Sequence, residues 1–112
     1  MLHTPEPWTH SIEKEGTLVM GSDCHEIAWI YGGRDPETTE ANACMVDAAP
    51  DLFKFAVCHE AYTCWLRCGA HGNPKAKAFL ESHGFKGSYL IQAAIFVDEL
   101  RFKALKKAEG VS

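Results

Sequence analysis

The sequence predicts a small α+β domain in which an antiparallel sheet of about three strands, at the N-terminus, packs against two or three helices. Short β-prone segments bounded by turn residues fill the first 31 residues, whereas apolar residues spaced three and four apart fill the rest. The chain has 112 residues, of which 46% are hydrophobic. That length suits a single domain, covering residues 1–112, with one core.

Three segments have the composition of strands, and they lie at residues 8–13, 17–20 and 26–31. The dipeptide Glu15-Gly16 and the tripeptide at residues 21–23 are turn signals between them. Because these connections are short, we expect an antiparallel meander with one face covered by a layer of helix.

Four helices are expected after Gly33, at residues 36–49, 51–68, 74–83 and 89–108. Asp35 is a good N-cap for the first, and Pro36 suits its first position because the missing N–H has no helical partner there. Pro50 prevents a smooth continuation into the second helix.

Apolar spacing predicts the buried face of each long helix. The first helix would bury Ala41, Cys44, Met45 and Ala48, and the second Leu52, Phe55, Cys58, Tyr62 and Trp65. The last helix would bury Leu90, Ile91, Ala94, Ile95, Phe102 and Leu105. Its residues Phe96, Val97 and Leu100 would then form an apolar interface between copies or contact the short helix.

The stretch CHEAYTCWLRCGAH, at residues 58–71, concentrates three cysteines and two histidines. One interpretation is a zinc site with Cys64, Cys68 and His71 as ligands, since Cys64 and Cys68 share a helix face. Its fourth ligand would be Cys58, or alternatively His59 or the distant Cys24 or Cys44. No Cys-x-x-Cys pair is present, which favours a metal-free, buried helix face. Cys58 and its neighbour His59 point about 100 degrees apart on a helix, so they do not form a nucleophile–base pair.

Charge is unevenly distributed along the chain. Residues 1–60 hold eleven acidic and three basic side chains, whereas residues 61–112 hold four acidic and eight basic ones. The bases gather near the end of the last helix, where they complement its dipole, so no direct nucleic-acid contact is expected. An acidic partner-binding face is predicted from Asp35, Glu37, Glu40, Asp47 and Asp51. The two oppositely charged halves also make a homo-oligomer plausible.

The turn at Gly32, Gly33 and Arg34 stands between a strand and a helix N-terminus. Such a junction can bind a phosphate through free N–H groups, so it is an alternative ligand site. It matches no dinucleotide or Walker pattern. No catalytic constellation is present, and we expect no enzymatic activity.

The chain has no apolar run of the roughly 18 residues that a membrane helix needs, and its first residues show no signal peptide. We therefore expect a cytoplasmic protein without a membrane partner. Its five cysteines are then expected to be reduced.

The stretches HTPEPW (residues 3–8) and ANACMVDAAPDLF (residues 41–53) resemble a family of small phage and prophage proteins. Its members typically open with His-Thr-Pro-x-Pro-Trp and carry Ala-Asn-Ala-x-x-Ile-x-x-Ala-Pro-x-Leu-Leu in a helix. The matching residues are His3, Thr4, Pro5, Pro7 and Trp8 at the start and Ala41, Asn42, Ala43, Ala49, Pro50 and Leu52 in the helix. Val46 and Phe53 replace the usual Ile and Leu. The cysteine-rich stretch lies outside the shared pattern.

The resemblance implies an accessory phage protein in the host cytoplasm, and the family supplies no catalytic motif. By analogy with other small phage proteins, we expect a non-enzymatic inhibitor that binds a host defence component, for example a CRISPR effector complex. One alternative is a sponge that binds a nucleotide signalling molecule. Another is a zinc-stabilised interaction module. No cofactor is expected apart from zinc in that last alternative.

Overall fold

The computed structural model describes residues 3–14, 16–31, 35–68 and 73–110, and the elements named here are those of these ranges. The strands are β1 (Thr9–Glu13), β2 (Gly16–Met20) and β3 (Glu26–Ile30), and the helices are α1 (Pro36–Asp47), α2 (Ala49–Arg67), α3 (Pro74–Ser82) and α4 (Leu90–Ala108). The predicted α+β class is confirmed, and each element lies within about two residues of its predicted position.

The chain divides into two compact units. The sheet unit contains Met1–Pro50 together with Ala104–Ser112, and the helical unit contains Asp51–Lys103. Each unit is described by itself below. The expectation of a single domain over residues 1–112 stays a prediction.

In the sheet unit, the strands form an antiparallel meander in the order β1-β2-β3. The register pairs His10 with Val19, and Val19 is completely buried. Helix α1 contacts all three strands, so it supplies the expected covering layer. Gly16, the first residue of β2, lies close to the carbonyl of Ile30 in β3, where a Cβ would be 2.9 Å from the oxygen.

Helix α1 begins as the sequence predicts. The Asp35 side chain accepts a hydrogen bond from the Thr38 N–H at 2.9 Å, and Pro36 occupies the first turn. The buried face matches the predicted one only in part, however. The predicted Cys44 and Ala48 are buried, whereas Ala41 and Met45 are exposed. Thr39 and Asp47 are buried as well, and the apolar pattern missed them because they are polar.

In the helical unit, one apolar core joins three helices. It consists of Cys58, Ala61 and Trp65 from α2, Ala76 and Leu80 from α3, Phe85 from the following loop, and Ala93 and Val97 from α4. Phe55 and Tyr62 pack against it, so the predicted inner face of α2 is confirmed at four of its five positions. The fifth, Leu52, is half-buried.

The prediction for α4 is confirmed for Leu90 but wrong for four other large residues. Ala93 and Val97 are buried, and Leu90, Phe96 and Leu100 pack against the core. Four residues predicted to lie inward are instead exposed or half-exposed, namely Ile91, Ile95, Phe102 and Leu105. The small Ala93 allows α4 to approach the core closely. The ring centroids of Phe96 and Phe85 are 5.6 Å apart. Phe96, Val97 and Leu100 therefore form an internal contact rather than an interface.

None of the helices in the described part of the chain is both long and apolar enough to span a bilayer.

Candidate functional site

The most chemically distinctive group of side chains lies between β1 and α1 in the sheet unit. His10 projects from the middle of β1 toward Glu40, Cys44 and Asp47, which are spaced four and three residues apart and therefore share one face of α1. His10 Nε2 lies 2.8 Å from Glu40 Oε1, and His10 Nδ1 contacts Asp47 Oδ2. We call these four residues the His10 cluster.

The contacts of His10 favour its doubly protonated form. Ionised carboxylates only accept hydrogen bonds, so both ring nitrogens must donate. Burial by itself lowers the pKa of His10, but the hydrogen bonds and charges of Asp47 and Glu40 outweigh it and raise the pKa above its usual value. In the absence of another cation, the contact geometry and the raised pKa of His10 both favour an imidazolium ring hydrogen-bonded to the two carboxyl groups.

Cys44 is the fourth member of the cluster and is almost fully buried. Burial, and then the negative charges of Glu40 and Asp47, raise the pKa of its thiol. The chain turn after α4 covers the sulfur, since a Cβ at Gly110 would lie 3.0 Å from Cys44 Sγ. Gly110 also has φ +77°, a conformation that favours glycine.

Two carboxylate oxygens in the cluster are buried without a hydrogen-bond partner among the described residues, Glu40 Oε2 and Asp47 Oδ1. Asp47 is only 6% exposed. A buried polar atom that lacks a partner costs about 1 to 3 kcal/mol, more when charged. The cluster therefore has two buried acceptors for which the described residues supply no donor.

The helical unit contains a second feature, a cleft of about 420 Å³ between α2 and α3. Val57, Ala61, Cys64, Ala76 and Phe79 make most of its wall apolar. Few polar groups converge there to orient a small ligand, which distinguishes it from an ordinary ligand pocket.

The third feature is an exposed apolar face on α4, also in the helical unit. Ile91, Ile95 and Phe102 are 76%, 55% and 59% exposed, and we call them the α4 stripe. Asp98 lies between them at the same helical spacing and pairs with Arg101 at 2.8 Å. Asp98 and Arg101 also line a smaller cleft, of about 230 Å³, between α2 and α4.

The predicted acidic face is not one continuous surface of free carboxylates. Asp35 caps α1, and Glu37 is exposed. Glu40 and Asp47 contact His10, and Asp47 is buried. Asp51 belongs to the helical unit, where Asp51 Oδ1 lies 4.0 Å from Lys103 Nζ.

The predicted zinc ligands of α2 have different environments. Cys58 is completely buried in the core, Cys64 is half-buried beside Arg67, and Cys68 is exposed. All five cysteines are free thiols. His71 and the predicted phosphate turn of Gly32, Gly33 and Arg34 lie outside the described residues.

Sequence reasoning missed the His10 cluster because His10 is 30 and 37 residues away from Glu40 and Asp47. The available signal was the spacing of Glu40, Cys44 and Asp47 on one helix face. This spacing did not indicate a site, because Glu40 and Asp47 were interpreted as part of an exposed acidic surface.

No protein-family model, curated protein or solved structure matches this chain. The resemblance to small phage proteins accordingly stays a prediction.

Proposed function

We propose that the chain is a small, non-enzymatic binding protein of a phage or prophage. It acts in the host cytoplasm by binding and inhibiting a host defence protein, a CRISPR effector complex being one example. The resemblance described above supplies the biological context. The structural observation that supports a binding role is the α4 stripe.

Large apolar side chains that share one exposed face are unusual unless another surface covers them. Ile91 and Ile95 are one helical turn apart and Phe102 is two turns further on, so all three present their side chains on the same side of α4. Such spacing is typical of a helix that packs its apolar residues against a partner. The occupant we propose is an apolar helix of the target protein.

Asp98 places a polar group in the middle of this face, where its carboxylate pairs with Arg101 at 2.8 Å. A polar position within an apolar helix seam sets the register and restricts the partner at some loss of affinity. A target helix with a side-chain amide or hydroxyl at that level would satisfy the ion pair. This feature supports a specific partner rather than general adhesion.

A phage plating assay tests the function. Cells that carry a defined defence system, such as a CRISPR effector, express the chain before infection. The wild-type chain should restore phage plating, and Ile91→Lys should reduce this effect because it places a charge in the interface. Affinity for the purified target should fall at least about tenfold, which corresponds to about 1.4 kcal/mol.

Ile12→Lys is the matched control, since Ile12 is 77% exposed on β1 and Ile91 is 76% exposed on α4. Equal inhibition by wild type and Ile91→Lys would contradict the α4 contact. Failure to restore plating against a broad panel of defence systems would contradict the inhibitor function itself.

Two further measurements separate the alternatives. Light scattering at increasing protein concentration would show a homo-oligomer if a second copy covers the α4 stripe. Calorimetry with a panel of nucleotides would detect the nucleotide sponge, and strong binding there would replace the protein target as the proposed partner.

A further inference from the structure

We propose that the His10 cluster is a metal site, in which His10, Glu40 and Cys44 bind one zinc ion and Asp47 orients the histidine. This proposal concerns the sheet unit and does not depend on the proposed inhibitor function. It also differs from the zinc site that the sequence suggested, which used cysteines of α2.

Distance is the first argument. One ligand atom from each of His10, Glu40 and Cys44 lies within 4.8 Å of the other two. Zinc bonds of about 2.0 to 2.3 Å in a tetrahedron place ligand atoms roughly 3.3 to 3.7 Å apart. The side chains thus need to move by only about an ångström. The Glu40 side chain, which is 46% exposed, has room for this movement.

Two buried carboxylate oxygens without a hydrogen-bond partner among the described residues are the second and independent observation. Asp47 is more than nine-tenths buried, and its Oδ1 has no partner among the described residues. Glu40 Oε2 is buried and unpartnered as well. Unsatisfied buried polar atoms of this kind indicate a bound ion or water, and a cation held by Glu40 would give its carboxylate such a partner.

The arrangement of Asp47 matches the environment of metal-bound histidines. Such histidines usually donate their second ring N–H to a carboxylate, which fixes the ring orientation and strengthens the ligand. Asp47 contacts His10 Nδ1, and this leaves Nε2 facing Glu40. We therefore assign Nε2 as the metal-binding atom and Asp47 as a positioning residue.

The chemical types of the three ligand atoms favour zinc over other metal ions. An imidazole, a thiolate and a carboxylate suit zinc, whereas magnesium and calcium prefer oxygen ligands alone. When zinc binds, the Nε2 proton of His10 and the thiol proton of Cys44 are released to solvent. Three protein ligands leave a fourth position for water or another donor.

The test begins with the full chain, freed of metal by a chelator and then returned to buffer. Native mass spectrometry with added zinc should show one ion per chain. Cobalt(II) then serves as a spectroscopic probe, because thiolate coordination produces a charge-transfer band and tetrahedral geometry produces intense visible bands. Cys44→Ser should lose the charge-transfer band, and His10→Gln should lose stoichiometric binding.

The chain offers matched controls for both substitutions. Cys68→Ser removes an exposed thiol of α2, and His25→Gln removes a histidine whose side chain is 79% exposed beside Asp23. Both variants should bind zinc and cobalt like the wild type. Asp47→Asn should keep the cobalt band but weaken zinc binding about 10- to 100-fold, as expected for a group that acts through the ligand.

Glu40→Gln is the ligand substitution that should disturb folding least. The Glu40 side chain is partly exposed, and glutamine has nearly the same shape as glutamate. Circular dichroism should match the wild type while zinc affinity falls at least about tenfold. The proposal is overturned if the wild-type chain binds no stoichiometric zinc. It is equally overturned if binding survives Cys44→Ser and His10→Gln but is lost in Cys68→Ser.

Discussion

The sheet unit and the helical unit differ in where they place their polar and apolar side chains. The sheet unit holds a half-buried histidine between two carboxyl groups and beside a thiol, whereas the helical unit has an apolar core and exposes the α4 stripe. The cysteine-rich α2 looks like the chemical centre in the sequence. Its most buried thiol, Cys58, belongs to the core, and among the described residues a group with metal-ligand spacing lies in the sheet unit. Residue type alone is therefore a poor guide to function, because burial and neighbours decide what a side chain can do.

Among these predictions, the change in stability should be largest for a substitution in the apolar core of the helical unit. Leu80 is completely buried in the helical core, and Leu66 is half-exposed on α2. Leu80→Ala should lower the free energy of unfolding by about 2 to 5 kcal/mol, because it removes apolar contacts and leaves a cavity. Leu66→Ala should lower it by roughly 1 kcal/mol or less. Urea unfolding of both variants measures the difference, and similar losses would contradict the described core.

A smaller effect is expected when the polar centre of the sheet unit is removed. His10→Ala leaves the buried Asp47 carboxylate without its partner, so the free energy of unfolding should fall by about 1 to 3 kcal/mol. The exposed pair of His25 and Asp23 provides the control, since water screens such a pair and His25→Ala should leave the free energy of unfolding almost unchanged. Urea unfolding of metal-free protein checks both values. A neutral His10→Ala would show that the His10 cluster does not stabilise the sheet unit.

The change in stability with pH should be smaller than the losses caused by Leu80→Ala and His10→Ala. The contacts of Asp47 and Glu40 raise the pKa of His10, so its contribution is complete below about pH 6.5, the usual histidine value, and is lost as pH rises through the raised pKa. Metal-free protein should therefore become less stable across this range. His10→Gln should lack this component, and unfolding midpoints at several pH values compare the two. An identical pH profile for both proteins would contradict the charged form of His10.

The smallest effect on stability is expected at the α4 stripe. Ile91→Lys and Ile12→Lys change side chains of nearly equal exposure, so each should alter the free energy of unfolding by no more than about 0.5 kcal/mol. Thermal unfolding checks this. A large loss in Ile91→Lys alone would mean that Ile91 contributes to folding, and its effect on binding could then not be assigned to an interface.

Much of the fold could be predicted because local signals agree with it. The Asp35 cap, the prolines at 36 and 74 and the turn residues define the element boundaries. The buried face of α4 could not be predicted, because α4 approaches the core through Ala93 rather than through its larger Ile91 and Ile95. Apolar spacing identifies a stripe but does not say whether the protein's own core or another surface covers it.

The candidate site was harder to predict from the sequence than the fold was. His10 meets Glu40 and Asp47 only through the packing of α1 on the sheet, a contact that no local pattern encodes. Asp47 was assigned to solvent because acidic side chains on helices are usually exposed. Its burial becomes visible only when the histidine opposite it is known.

The most direct test of the central claim is the change in backbone amide NMR signals when metal-free protein receives one equivalent of zinc. If zinc binds at the His10 cluster, saturable shifts should appear around His10 in β1 and around Glu40, Cys44 and Asp47 in α1, and they should be complete at one zinc per chain. Shifts centred on Cys58, Cys64 and Cys68 in α2, or no saturable shift at all, would contradict this claim.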